Sequence, residues 1–369
     1  MINYQAIISY YVKNKCLLSR ESYFDKAYSI ALNIIHVLRF WLNFDRKLIK
    51  PEFDLIFVVS TENHLRILDS FVDKSCRDYD IVDLKSFGKM ISRYDVKLNW
   101  LDLYKLFKNI FFLNSDQSIY FFRCLLIHSY FSNFSNKKFV FFNDHGVLHR
   151  SLFFSVTDKN RTFYIPHAEI YYHFDPIHFN VFLLRNKNMI QIYCDLLENK
   201  FGKHSCNLIN VGDPTIKFIR DDKTSKIAKI CVAINYADDF VWFKKIEKFS
   251  NSCKYNVFVK IHPRNIKARK YFSNARLPIV KTIDELSHFA LVISDFSSSI
   301  VFDCIYRHIP IYVIESNNNT NYGLETLGLP RIDTLEKINE LQNFEIYVNE
   351  DYESFNPYSS KIILDHLNE

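Results

Sequence analysis

Residues 292–315 read VISDFSSSIVFDCIYRHIPIYVIE, and this stretch decides the fold. The apolar run at 291–294 is short and continuous. A polar turn follows, with Ser297, Ser298 and Ser299 in a row. Residues 299–308 then carry apolar positions at helical spacing, and Pro310 stops the helix before a second apolar run at 311–314. Strand, turn, helix and strand, with both strands apolar but for Ser294 at the end of the first, mark a parallel sheet covered on both faces. The serines stand where strand gives way to helix. They have two physical readings. Hydroxyls there cap a helix by accepting from its first N–H groups, or they join those groups in holding an anion. The sequence leaves both open.

The same scheme extends in both directions. In the first half, strands are expected at 4–12, 55–60, 79–84, 139–143, 162–166 and 208–211. Helical patterns lie between them at 21–42, 62–75, 97–109, 116–132, 147–157 and 177–201. In the second half, strands are expected at 230–234, 256–261, 279–281, 291–294 and 311–314, and helices at 238–250, 265–275, 283–289 and 299–308. The charged stretch KFIRDDKTSKIAK, 217–229, lacks apolar periodicity and reads as a linker. The expected architecture is α/β: two Rossmann-like, doubly wound parallel-sheet domains facing a central cleft. The first spans 1–216 and the second 230–350. The tail, 351–369, is expected to pack back on the first domain. Ligands of such sheets bind beyond the carboxyl ends of the strands.

Composition narrows the function. The 369 residues are 48% hydrophobic and include 35 phenylalanines, enough for large cores. A net charge of +6 suits an acidic small substrate, a nucleotide or anionic headgroups, and no nucleic-acid-binding motif accompanies it. The eight cysteines never form C-x-x-C, which speaks against a zinc site and a disulfide framework and for free thiols in a reducing cytoplasm. Six glycines never fall into G-x-G-x-x-G or a P-loop, so any phosphate must be held by other means. The N-terminus does not read as a signal peptide. The apolar stretch 30–42 is interrupted by His36 and Arg39 and is too short to span a membrane. A cytoplasmic protein is expected. Helix 21–42 pairs Phe40 and Trp41 with Arg39, Arg46, Lys47 and Lys50, so it reads as a core helix or as one lying on the inner face of the cytoplasmic membrane. The oligomeric state is not legible.

Polar residues fall at several strand ends. His262, Pro263 and Arg264 follow 256–261; Asp295 and the serine run follow 291–294. Together they offer side-chain donors for a glycine-free diphosphate site. In the first half, Asn143, Asp144, His145 and Gly146 close one strand, and Pro166, His167 and Glu169 the next. A carboxylate or imidazole there suits a general base. Local readings compete: Asp144 as an Asx turn or cap, His167 as a helix-start residue, His262 as a turn residue against Pro263, Asp295 as a sheet-end hydrogen-bonding group. Gly212, Asp213 and Pro214 read as the turn leaving the first half.

The histidine-proline pair after one strand and the serine turn after a later one resemble bacterial GT-B glycosyltransferases of surface polysaccharides. ISDFSSSIVFDCIYRHIPIYV is similar to the matching segment of CDP-glycerol glycerophosphotransferases. The same layout marks bacterial sialyl-, polysialyl- and Kdo transferases. The resemblance rests on motifs over roughly 255–315 and on topology alone in the first half. It implies that His262, Ser297 and Ser298, with Ser299 beside them, grip the phosphate of a cytidine nucleotide. Asp144-His145-Gly146 resembles the acidic-acidic-glycine motif whose carboxylate is the sialyltransferase base, with His in the middle position. Pro166-His167-Ala168 stands where the glycerophosphotransferases carry Trp-His-Gly. The implied activity needs no metal: transfer of a sialic acid or Kdo-type sugar from a CMP donor to a capsule, lipopolysaccharide or lipooligosaccharide glycan. The alternatives are a CDP-glycerol or CDP-ribitol polyol-phosphate transferase, a sugar-nucleotide 2-epimerase and a non-catalytic nucleotide-sugar binding protein.

Overall fold

The computed structural model describes residues 52–73, 78–84, 127–128, 130–169, 175–203, 205–217, 229–235, 237–295, 298–314, 327–341, 343–344, 346–347 and 349–369. The expected elements at 4–12, 21–42 and 97–109, most of 116–132, residues 218–228 of the linker, and Ser297 lie outside these residues.

Among the described residues the first sheet has six strands, all parallel, in the order β2-β1-β3-β4-β5-β6. They are β1 (Leu55–Val59), β2 (Tyr79–Asp83), β3 (Lys138–Phe141), β4 (Arg161–Tyr164), β5 (Val181–Leu184) and β6 (Asn207–Asn210). Helices α1 (Glu62–Phe71), α2 (Val147–Val156) and α3 (Lys187–Phe201) follow β1, β3 and β5. Strand residues alternate faces, and both faces are buried: Ile56 and Val58 enter one apolar cluster, Phe57 and Val59 the other.

β5 lies inside the stretch read as one helix, 177–201. Its four apolar residues, VFLL, are all buried, and a short apolar run has no period that separates strand from helix. The helix begins only at Lys187, where the Asn186 side chain accepts from the Met189 N–H at 2.8 Å. From there Met189, Ile192, Tyr193, Leu196 and Leu197 make the buried stripe, and Gly202, at φ 71°, ends it.

Among the described residues the second sheet has five parallel strands in the order β11-β10-β9-β7-β8: β7 (Lys229–Ile234), β8 (Asn256–Ile261), β9 (Leu291–Asp295), β10 (Ile311–Ile314) and β11 (Arg331–Ile332). α4 (Phe240–Ser252), α5 (Ile266–Asn274) and α6 (Ile300–Tyr306) lie between them. The expected strand at 279–281 is a single bridge, Val259 to Ile279, and 283–289 is a 3-10 turn, Asp284–His288. Two residues were too few for β11 to announce itself in the sequence.

The tail returns to the first sheet. Ile363 and Leu367 of α7 (Ser359–Asn368) join that sheet's core, Ser360 Oγ donates to Ser70 O at 3.1 Å, and Lys138 Nζ donates to Leu367 O at 2.9 Å. Before α7 the chain crosses the end of β6. Asp213 N donates to Ser354 O at 2.7 Å, and Asn186 Nδ2 to Ser354 Oγ at 3.0 Å. Gly212 sits under this crossing at φ 80°; a Cβ there would lie 2.6 Å from Asn356 Cβ and 3.0 Å from Ser354 O. A cavity of about 330 Å³ opens beneath the crossing, lined by Lys187, Asn210, Glu350 and Glu353 among others.

The carboxyl edge of the first sheet faces α6. Arg66 of α1 and Arg185 beyond β5 are near enough to Asp303 to act on its charge, and Arg307 acts likewise on Asp213 beyond β6. The Arg185–Asp213 ion pair is buried at 3.2 Å, and Arg185 also donates to Pro166 O at 2.8 Å. The Gly212-Asp213-Pro214 turn is thus structural: the Asp213 carboxylate also accepts from the Thr215 N–H and hydroxyl at 2.8 and 2.7 Å.

Candidate functional site

Among the described strands, the strand order of each sheet reverses once. β1 has β2 on one side and β3 on the other; β7 has β8 on one side and β9 on the other. The crevices beyond β1/β3 and β7/β9 are where such folds hold ligands.

At the first crevice, Asn143 makes the turn after β3: its Oδ1 accepts from His145 N and Gly146 N, both at 2.9 Å. The Asx turn allowed for Asp144 is therefore made by Asn143. The Asp144 carboxylate points into the protein. Tyr193, on the buried stripe of α3, donates its hydroxyl to Oδ2 at 2.7 Å, and His145 Nδ1 lies 3.1 Å from Oδ1. Burial alone would raise the Asp144 pKa, but the hydrogen bond from His145, the one from Tyr193 and the charge of Arg150 hold it below the usual carboxylate range. An ionised carboxylate only accepts, so His145 Nδ1 carries the proton and Nε2 is the basic nitrogen of an exposed ring.

His167 stands beside this pair, its ring 6.0 Å from that of His145. Its Nδ1–H donates to Phe142 O at 2.6 Å, and burial lowers its pKa to about 4. Asp144, His145 and His167 are thus brought together. Two further imidazoles join them. His64, in the first turn of α1, is fully buried; its ring centroid lies 4.8 Å from His167 and 5.6 Å from His149. Ser60 N donates to His64 Nδ1 at 3.2 Å, so the proton sits on Nε2. Burial, reinforced by neighbouring histidines, depresses the pKa to about 2 for His64 and about 3 for His149. The Nε2 atoms of both are buried without a hydrogen-bond partner. His149 lies against Gly146: a Cβ there would be 2.7 Å from His149 Nδ1. Sequence reasoning missed His64 and His149. The available signal was position, since each falls in the first turn of the helix that follows one of the two strands flanking the crevice.

At the second sheet, His262 accepts from Arg264 N at 3.2 Å through Nδ1, so the proton sits on Nε2. Burial, then the charge of Arg264, lowers its pKa, so the ring is neutral at pH 7. Pro263 and Arg264 are exposed in this turn, and Asn265 caps α5 by accepting from Ala268 N at 2.9 Å. Ser299 occupies the cap position of α6 but makes no side-chain cap bond, and Ser298 N donates to Asp295 O at 3.4 Å. Side-chain capping is therefore not what Ser299 does. The two halves of the expected diphosphate site do not come from adjacent strands, because β7 lies between β8 and β9. His262 and Ser298 follow strands two spacings apart, roughly 10 Å.

The β7/β9 crevice itself holds a buried polar cluster that was not anticipated. Asn235 N donates to Asp238 Oδ2 at 2.7 Å, Asn235 Nδ2 reaches Asp295 Oδ1 at 3.5 Å, and Asn265 Nδ2 donates to Asn235 O at 2.8 Å. Asp295 is thus a sheet-end hydrogen-bonding group. Burial raises Asp238 to about 7, the Asn235 N–H working against this and the charges of Asp295 and Asp239 with it. Among the described residues, no group of three or more His, Cys, Asp and Glu side chains is arranged to hold a metal ion, and no helix is long and apolar enough to cross a membrane.

No protein-family model and no curated protein matches the chain. Solved structures do. A UDP-GlcNAc 2-epimerase from Methanocaldococcus jannaschii, in complex with UDP-GlcNAc and UDP, is 12% identical; the match covers 85% of this chain and 99% of that one, with a TM-score of 0.53. A UDP-GlcNAc 2-epimerase from Neisseria meningitidis bound to UDP-GlcNAc matches at 11% identity, 85% and 98% coverage and TM-score 0.49. The lipopolysaccharide outer core galactosyltransferase WaaB matches at 7% identity, 85% and 98% coverage and TM-score 0.39. Of these three the first has a TM-score above 0.5, and with the strand order it carries the assignment: two parallel-sheet α/β domains in the GT-B fold.

Proposed function

We propose that the protein transfers a sugar from a nucleotide-activated donor to a hydroxyl acceptor, with His145 as general base. The observation that supports this is the buried, ionised Asp144 holding the Nδ1–H of an exposed histidine at the β1/β3 crevice. Such a pair fixes the tautomer and stabilises the imidazolium. In this reading His145 Nε2 takes the proton of the acceptor hydroxyl, whose oxygen attacks the donor. His262 Nε2–H, Arg264 and the hydroxyls of Ser297, Ser298 and Ser299 receive the negative charge that develops on the departing nucleotide phosphate. A CMP-activated acid sugar is the donor suggested by the histidine-proline and serine motifs, a polyol-phosphate donor the second. The acceptor class is a glycan or glycolipid of the bacterial surface.

A second reading, a sugar-nucleotide 2-epimerase, is favoured by the likeness to the archaeal enzyme and would use a uridine donor. One experiment separates them. The protein is incubated with CMP-sialic acid, CMP-Kdo, CDP-glycerol or UDP-GlcNAc, with and without bacterial lipooligosaccharide, in buffer containing EDTA. Nucleotide release and sugar configuration are followed by NMR. Acceptor-dependent release that His145→Gln abolishes supports transfer. An epimerised sugar without acceptor, or binding of donors without turnover, overturns it.

A further inference from the structure

We propose that the adjoining tips of α4 and α5 form a docking surface for an anionic lipid bilayer. Three large apolar side chains are exposed there: Phe240 at 52%, Val241 at 58% and Ile266 at 77%. They belong to one patch. Asn265, next to Ile266, donates through Nδ2 to Asp238 O at 3.2 Å, two residues before Phe240, and the Phe240 ring lies 5.9 Å from that of Tyr271 in α5.

Both helices continue from this apolar tip into cations. On α4 the exposed positions running on from Phe240 and Val241 are Lys244, Lys245 and Lys248, at helical spacing. On α5 those running on from Ile266 are Lys267, Arg269 and Lys270. None of the six takes part in an ion pair among the described residues. The acids nearby are already engaged: Asp239 caps α4 by accepting from Val241 N and Trp242 N at 3.0 and 3.2 Å, and Glu247 accepts the Tyr271 hydroxyl.

An apolar tip with a cationic collar fits a bilayer interface: the tip enters the headgroup region and the lysines meet anionic lipid. A second copy of the chain fits poorly, because a two-fold contact would set this cationic face against itself. A nucleic acid would use the charges and leave the apolar tip unpaired. Both helices start at the carboxyl edge of the second sheet, so docking holds that edge at the lipid surface. The docking surface does not depend on the proposed transfer reaction, though it would suit a glycolipid acceptor.

The test is sedimentation of the full chain with phosphatidylcholine vesicles, with and without about a third phosphatidylglycerol. Each basic side chain near an anionic surface contributes roughly fivefold in partitioning. Lys245→Ala/Lys270→Ala should therefore weaken binding to the anionic vesicles by about tenfold or more. Val241→Ser/Ile266→Ser should also weaken it, and each variant should melt as the parent does. Fluorescence of Trp242, half-buried beside Val241, should shift to the blue on anionic vesicles, and Trp242→Phe should remove the shift. Equal binding to neutral vesicles, unchanged binding by either double variant, tighter binding to an oligonucleotide, or self-association that the double variants abolish would overturn the proposal.

Discussion

Replacing His64 by Asn tests the buried imidazoles directly. The Asn Oδ1 can take the place of His64 Nδ1 as acceptor for the Ser60 N–H, a bond of 3.2 Å in the parent, so the variant keeps the turn and removes the titration. In the folded chain burial keeps His64 neutral down to about pH 2; an unfolded histidine titrates near ~6.5. The folded value is the lower one, so the unfolded chain takes up the proton first. Stability is full above the unfolded pKa and falls as the pH drops below it. At about pH 5 the loss is roughly 1.36 × 1.5, or about 2 kcal/mol. Because the folded value lies far below that pH, the figure depends on the unfolded pKa alone. His149, held at about 3, has the same sign and adds about as much. Asp238 works against them. Its folded pKa, about 7, lies above the unfolded one, so it contributes stability below the unfolded value and loses it as the pH rises through about 7. Over the same drop in pH it adds back about 2 to 3 kcal/mol. The parent's pH dependence is thus a sum, and the difference between parent and variant isolates one imidazole. Urea unfolding at about pH 7.5 and about pH 5 measures it, and the variant should lose about 2 kcal/mol less than the parent over that interval. Equal losses in the two proteins would refute a neutral, buried His64.

Asp144→Asn should keep the fold but no longer fix the His145 tautomer, lowering turnover by about 10² to 10⁴ with whichever donor proves active; an unchanged rate and pH profile would remove His145 from the chemistry. Gly212→Ala should cost about 1–3 kcal/mol and free the tail, seen as a lower melting temperature and faster proteolysis near residues 350–357, because the new Cβ meets Asn356 and Ser354 at a backbone φ of 80°. Asp213→Asn leaves the buried Arg185 guanidinium without its carboxylate and should destabilise by about 3–5 kcal/mol in urea unfolding.

Much of the architecture was legible because it rests on local signals. The runs LIFVV and KICVAI are apolar on both faces, and only a sheet covered on both sides can bury them. Turn chemistry was legible too, since His262, Pro263 and Arg264 lie within reach of their own backbone. VFLL escaped for the same reason: its neighbours in sequence do not say whether four buried residues are strand or helix, and its pairing with β4 and β6 decides it. Asp144 was found as a polar strand end, yet its inward turn toward Tyr193, 49 residues away, depends on how α3 lies under the sheet.

The order of elements, the two-sheet plan and the polar strand ends are written in the chain, because hydrophobic spacing and turn residues act over a few positions. Strand order is not. The insertion of β7 between β8 and β9, and of β1 between β2 and β3, follows from which faces bury the most apolar surface once the whole sheet assembles. That long-range choice places His262 and Ser298 on either side of β7, gathers four histidines around Asp144, and lays the tail over Gly212.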